Sequence, residues 1–416
     1  MDSEHLVTLM VLLVGGLVVA AMATKALLER VSLPPLIGFL LLGFGLRVTD
    51  SAWPWMSPPA EEMLHLLARL GLICLLFRVG LDSDLGGLLA QLRRASLIWV
   101  GGVSVSGGLG FAASYWLLNL GLVPSLFAAA ALTATSVGVP VRIWQKRDRL
   151  QTPEGALLLD VAEMDDISGI LLMAMLFGVA PVLAAEGGSL IGPLVRTTGW
   201  VLVKLAGLMV AALLFSRYAE HRFTGAVERW ETPPDPMLMV VGVGLVTGAV
   251  AGLLGFSAAI GAFLAGLAFS RDPDAIRMEA SFDALYELFV PFFFIGIGLS
   301  IAPAGLTGAL AIGGVLLVVA IAGKLVGHGV VSLGSVGRMP ALLIGTSMVP
   351  RAEIAMVIMQ NGQSMGSWAV PDRLYSGMVL VMAGTCILAP VTLGWLLGRW
   401  SGTGDSPQTS APESGT

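Results

Sequence analysis

One apolar stretch carries acids that a lipid bilayer should not accept: Leu159-Asp160-Val161-Ala162-Glu163-Met164-Asp165-Asp166-Ile167-Ser168-Gly169. A charge at mid-bilayer costs roughly 2.5–3.5 kcal/mol on insertion scales, so such residues are functional candidates by default. Asp165 and Asp166 are adjacent, and neighbours on a helix point about 100° apart. One can therefore face a cavity while the other meets a partner on a neighbouring helix. A carboxylate placed in this way can hold either a proton or a small cation. Glu163 lies three residues before Asp166 and can share its face. With Asp160 it forms a pair of accessory acids; Glu163 can extend an acidic funnel, alter the stoichiometry or line the site and bond to a neighbour.

A second charge sits in Ala322-Gly323-Lys324-Leu325-Val326-Gly327-His328. A buried lysine needs a counter-charge, and its own segment offers none. The Asp165/Asp166 pair is the richest source; the competing expectation is a lysine that snorkels to the surface. Two further apolar runs are interrupted: Ala131-Leu132-Thr133-Ala134-Thr135-Ser136-Val137-Gly138-Val139-Pro140 and Gly345-Thr346-Ser347-Met348-Val349-Pro350-Arg351-Ala352-Glu353. Each has small hydroxylated residues and then a proline, which removes a helical hydrogen bond. Unwound backbone frees carbonyl oxygens for a hard cation and leaves half-helix ends facing each other. Arg351 and Glu353 can neutralise those ends. Arg69, Arg78, Asp82, Asp84 and Glu287 read as interfacial salt bridges.

The composition says what must position these groups. Of 416 residues, 56% are hydrophobic and only 12% charged, against about 25% charged in soluble domains; mean hydropathy is +0.86. This excludes a soluble enzyme, a disordered chain and a nucleic-acid binder. Apolar runs of about 20 residues select helices over a β-barrel. About thirteen segments are expected, near 6–24, 33–46, 62–81, 96–118, 122–142, 154–180, 189–216, 237–254, 256–270, 284–301, 305–333, 340–361 and 374–398. Fifteen of the 23 Lys and Arg residues then fall in odd-numbered loops or after the last segment, three in even-numbered loops and five within segments. The positive-inside rule places the N-terminus outside and the C-terminus in the cytoplasm. The interruptions occupy matching places in the two halves, which suggests two inverted six-helix repeats. Residues 401–416 are rich in Ser, Thr, Gly and Pro and are expected to be a disordered tail. Cys74 and Cys386 read as packed thiols. The histidines His5, His65, His221 and His328 are scattered, so no structural metal or cofactor is expected.

Taken in order and spacing, these clusters resemble the monovalent cation/proton antiporter-2 family, the bacterial sodium/proton antiporters of the NapA and NhaA fold. Further strings carry the resemblance: Leu33-Pro34-Pro35-Leu36-Ile37-Gly38, Leu75-Leu76-Phe77-Arg78-Val79-Gly80-Leu81, Gly255-Phe256-Ser257-Ala258-Ala259-Ile260-Gly261-Ala262-Phe263-Leu264-Ala265-Gly266 and Phe293-Phe294-Ile295-Gly296-Ile297-Gly298-Leu299. The resemblance implies an all-α membrane protein spanning residues 1–400. Spans 4–6 and 11–13 would form a core with two crossing broken helices, and spans 1–3 and 8–10 the dimerisation domain of a homodimer. It implies that Asp166 carries the ion, that Asp165 partners Lys324, and that Thr135 and Ser136 lie beside the site. The expected activity is exchange of cytoplasmic sodium or lithium for external protons across the plasma membrane. Potassium/proton exchange is the nearest alternative, since carboxylate and backbone oxygens do not fix ion size. An organic-anion symporter with a related broken-helix core is disfavoured by so acidic a site. A potassium channel lacks its filter string, and aspartyl proteolysis needs its acids on separate elements. Two departures stand out. Asp160 and Glu163 are additional acids, and the Gln-Asp pair of Kef-type relatives is Asp-Asp here.

Overall fold

The computed structural model describes residues 3–30, 33–82, 85–136, 138–184, 191–214, 218, 236–253, 258–269, 275–301, 303 and 306–400. The expected tail 401–416, the 254–257 boundary, Asp84 and Val137 lie outside them. The described residues form helices and connecting turns with no strand. In chain order the helices are α1 Ser3–Arg30, α2 Pro35–Ala52, α3 Pro58–Asp82, α4 Leu85–Ala112, α5 Leu122–Thr133, α6 Gly138–Gln145, α7 Pro153–Ala184 and α8 Ile191–Leu214. There follow α9 Pro236–Leu253, α10 Ala258–Phe269, α11 Ala275–Leu299, α12 Leu306–Lys324, α13 Val331–Val336, α14 Arg338–Ser347, α15 Glu353–Ser364 and α16 Asp372–Arg399. A π-helical turn at Ala113–Leu117 closes α4, and a second at Leu325–Val330 joins α12 to α13.

Among the described residues, eight helical segments are long and apolar enough to cross a membrane. The chain is thus a multi-pass helical membrane protein. Several helices overrun the apolar runs that announce them. α2 continues through Arg47-Val48-Thr49-Asp50, and α11 begins at Ala275, before its apolar part. Intrahelical hydrogen bonding does not stop where lipid does, so hydropathy marks the buried length and not the helix ends.

The long helices pack in two neighbourhoods. α11 lies along α3 and α2, and α10 along α3 and α9; α12 lies along α16 and α4, while α4 also packs on α5 and α7. Lipid tails are as apolar as leucine, so close helix contact in a membrane depends on shape. Several contacts are made glycine to glycine, and two are especially close. A Cβ on Gly80 would strike the Phe263 carbonyl, and one on Gly266 the Phe77 carbonyl, where α3 meets α10. Gly43 and Gly298 stand in the same reciprocal relation to Ile295 and Leu40, where α2 meets α11. In each case the obstacle is backbone, which cannot move aside as a side chain would.

Gly80→Ala is therefore expected to destabilise the protein by about 1–3 kcal/mol through overpacking. Gly15→Ala, at a position in α1 with nothing within 4 Å, should be neutral or gain up to ~1 kcal/mol from helix propensity. Thermal unfolding of both variants in detergent checks the contrast; equal melting temperatures would show that the α3–α10 contact is looser than described.

Candidate ion-binding site

α5 ends at Thr133, and the chain leaves the helix at Ala134 (φ −64°, ψ 148°) before restarting as α6. α14 ends at Ser347 and α15 restarts at Glu353. Pro140 falls in the first turn of α6, where a missing N–H is harmless. Pro350 lies inside the second break. The two non-helical segments meet and bond: the Ser136 N–H donates to the Pro350 carbonyl (2.9 Å). Trp144, fully buried at the end of α6, donates its indole N–H to Ser347 Oγ at the end of α14 (2.9 Å) and ties the broken helices a second time.

Breaking a helix inside a membrane leaves its last carbonyls without donors. Here each exposed carbonyl end meets a buried cation. Lys324 Nζ donates to the Thr133 carbonyl at the end of α5 (2.7 Å). Arg351 Nη1 donates to the Met348 carbonyl just past α14 (3.0 Å), and its own N–H bonds Thr385 Oγ1 (3.1 Å). At the opposite pole, Glu353 occupies the first turn of α15, where a negative charge complements the helix N-terminus.

Lys324 also forms an ion pair with Asp165 Oδ2, and both side chains are 0% exposed. Snorkelling is thereby excluded. Thr135 Oγ1 donates to the same carboxylate oxygen (2.7 Å). His328, also 0% exposed, places Nε2 at 3.4 Å from it, and neither ring nitrogen makes a hydrogen bond. His328 was not singled out by its sequence context, since a lone histidine in an apolar run reads as packing. The available signal was its i+4 spacing from Lys324, which the π-helical turn preserves closely enough to bring both side chains to Asp165. Gly102 of α4 makes room for the imidazole; a Cβ there would enter the ring.

Asp166 is differently placed. It is half-buried, so part of its surface remains accessible, and its sealed Oδ1 has no hydrogen-bond partner. Ser136 Oγ and Asp165 Oδ1 are further buried oxygens without a hydrogen bond. Asp160 and Glu163 are half-buried too, whereas Val161, Ala162 and Asp165 are buried, so the three acids Asp160, Glu163 and Asp166 share the accessible side of α7. A cavity of about 980 Å³ lies between α1, α2 and α11 on one wall and α6, α15 and α16 on the other. Its charged lining comprises Lys25, Glu29, Arg142, Lys146, Arg147, Glu287 and Glu353; Asp166 is not among its walls. Of the charges expected in salt bridges, Arg78 pairs with Asp283 and Glu287 with Lys25 (2.7 Å), while Arg69 is exposed and the Asp82 side chain lies outside what is described. Cys74 and Cys386 are both buried free thiols.

Two interrupted helices that meet at their breaks, with a buried aspartate–lysine pair beside a second, uncommitted aspartate, fit a membrane transporter of the cation/proton antiporter class. The chain belongs to the sodium/hydrogen exchanger family, whose transmembrane model matches residues 16–399. It is similar to the high-affinity Na(+)/H(+) antiporter NhaS3 of Synechocystis, with 29% identity over 96% of this chain and 85% of that protein. It is also similar to the Na(+)/H(+)-K(+) antiporter GerN of Bacillus cereus, with 26% identity over 89% of this chain and 91% of that one. Its fold matches the sodium proton antiporter MjNhaP1 of Methanocaldococcus jannaschii at a TM-score of 0.66, covering 94% of this chain and 99% of that one at 16% identity. Family membership makes the protein a transporter of monovalent cations and protons and not an enzyme.

Lys324→Ala should lower stability by about 3–5 kcal/mol, because it strands a buried carboxylate and uncaps α5. Asp165→Asn combined with Lys324→Gln should recover part of that loss. Melting temperatures of the single and double variants test the coupling, and strictly additive losses would mean that the pair is not the stabilising unit.

Proposed function

We propose that this protein exchanges cytoplasmic sodium or lithium for external protons by alternating access, with cation and proton competing for Asp166. The observation that carries this reading is the division between the two aspartates. Asp165 is committed to Lys324 and Thr135, whereas Asp166 is partly accessible and has a buried oxygen with no protein donor. Thr135 and Ser136, on the unwound backbone, flank the site, and Glu163 and Asp160 guide cations along the accessible side of α7. The names of the relatives support sodium as the cation.

The cycle follows from charge. When cytoplasmic protons are scarce, Asp166 is ionised and takes a cation. An occupied or protonated site is neutral and can cross the low-dielectric barrier, whereas the bare carboxylate cannot. Competition for one carboxylate is then sufficient for exchange, with the proton gradient as energy source and no cofactor. The helices around the breaks, α4–α7 and α12–α16, form the moving core, and α1–α3 with α9–α11 form the fixed dimerisation part of a homodimer. The cavity between these groups is the inward entrance. The loop basic residues Lys146 and Arg147, with Arg142, face the cytoplasm of a plasma-membrane protein whose N-terminus lies outside. If Lys324 releases its proton when Asp165 changes partner, two protons exchange for one sodium. One net charge then moves per cycle, and each 100 mV contributes about 2.3 kcal/mol.

A second reading, potassium/proton exchange, draws support from the similarity to GerN, whose name includes potassium. Fluorescence dequenching in proteoliposomes with matched sodium, lithium and potassium decides between them. The expected result is proton release with sodium and lithium, abolished in Asp166→Asn; a wild-type protein silent to every alkali cation ends the antiporter reading. A transient current on a sodium jump in reconstituted membranes is expected as well, and its absence removes the two-for-one exchange.

A further inference from the structure

α15 continues past Glu353 for three turns and carries three amides: Gln360, Asn361 and, near its end, Gln363, which bonds Asp372 (3.0 Å). Gln360 comes seven residues after Glu353, which places it on the same helix face two turns further on. Asn361 Nδ2 reaches Met173 Sδ on α7 at 3.5 Å. Met173 in turn comes seven residues after Asp166, on that residue's face of α7. Gln360 and Asn361 thus prolong the lines that lead through Glu353 and Asp166. They lie about 10 Å beyond these acids, by helix rise, and away from the cavity. None of Gln360, Asn361 and Met173 lines that cavity.

Their chemistry does not suit this place. Gln360 Oε1 is buried and has no hydrogen-bond partner. The contact of Asn361 is to a thioether, a weak acceptor. Met173 is fully buried, and Phe127 of α5 closes against Gly362, the residue that follows Asn361. Both residues are half-buried, yet Gln360 Oε1 is sealed without a partner and the Asn361 amide N–H meets sulfur; amides so placed are unfavourable unless another state gives them better partners. Leucine or methionine would seal this wall more cheaply if sealing were its only role.

We propose that Gln360 and Asn361 line the route by which the site opens on the face opposite the cavity, and that the Asn361–Met173 contact is its closed barrier in this conformation. In the other conformation water enters between α7 and α15, and the amides take water and the passing cation as partners. This rests on the transport reading above and adds residues to the half of the path that is shut here.

The test uses full-length protein in sealed vesicles of both orientations. Asn361→Cys and Gln360→Cys are treated with a membrane-impermeant thiol reagent; the wild type, whose two cysteines are buried, gives the background. Labelling is expected from the face opposite the cavity and should be about tenfold faster during sodium-driven turnover than without a gradient. Labelling only from the cavity face, or at background under all conditions, overturns the proposal. Asn361→Leu should slow turnover about tenfold while the half-saturating sodium concentration on the cavity side stays within about twofold, and Asn361→Gln should restore the rate. Wild-type turnover in Asn361→Leu is a second overturning result. Cation-driven proton flux of the wild type is recorded in the same vesicles. Its absence removes the transport reading, whereas normal flux with no labelling at either position removes only this inference.

Discussion

The arrangement depends on one constraint: backbone carbonyls exposed where a helix breaks inside a membrane must find donors within the protein. α5 and α14 both end in mid-protein, and each places its last carbonyls toward a buried cation. Lys324 serves the first and Arg351 the second. Because these cations are required by the backbone, they come with a demand of their own for negative charge. Asp165 answers it for Lys324. An intramembrane charge cluster is thus a consequence of breaking the helices, and the proposed ion site is assembled from what that cluster leaves over.

What it leaves over is Asp166. Adjacent residues on a helix cannot point the same way, so one Asp-Asp dipeptide supplies both a structural acid and an available one. Thr135, carried on the unwound segment after α5, secures the structural one with a second hydrogen bond. The same meeting of the breaks that bonds Ser136 to Pro350 brings Thr135 to α7. Substituting one aspartate for the other is therefore not a symmetric change, although the two are neighbours in sequence and identical in chemistry.

Much of this was legible in the sequence because lipid makes charge conspicuous. Asp165, Asp166, Lys324 and Arg351 stand out in apolar runs, and the prolines near 140 and 350 mark the broken helices. The pairing of Lys324 with Asp165 and not with Asp166 was implied only by resemblance, since spacing alone does not say which acid of a pair turns inward. His328 was overlooked because a lone histidine in an apolar run reads as packing: its i+4 spacing from Lys324 was visible, but the space that Gly102 leaves for it lies on another helix and has no local signature. Trp144 reaching Ser347 is of the same kind: two residues 203 apart in sequence, joined only where the broken helices meet. Helix ends were missed in the other direction, because polar residues prolong α2 and α11 beyond what hydropathy detects.

The reciprocal glycine contacts have a mechanical meaning. Where α3 meets α10 and α2 meets α11, main chain rests on main chain with no rotamer between them to absorb a displacement. A joint of that kind resists shear and offers no gradual slippage; it holds or it separates. The helix pairs joined in this way are therefore held stiffly at these points, unlike the side-chain-lined walls of the 980 Å³ cavity.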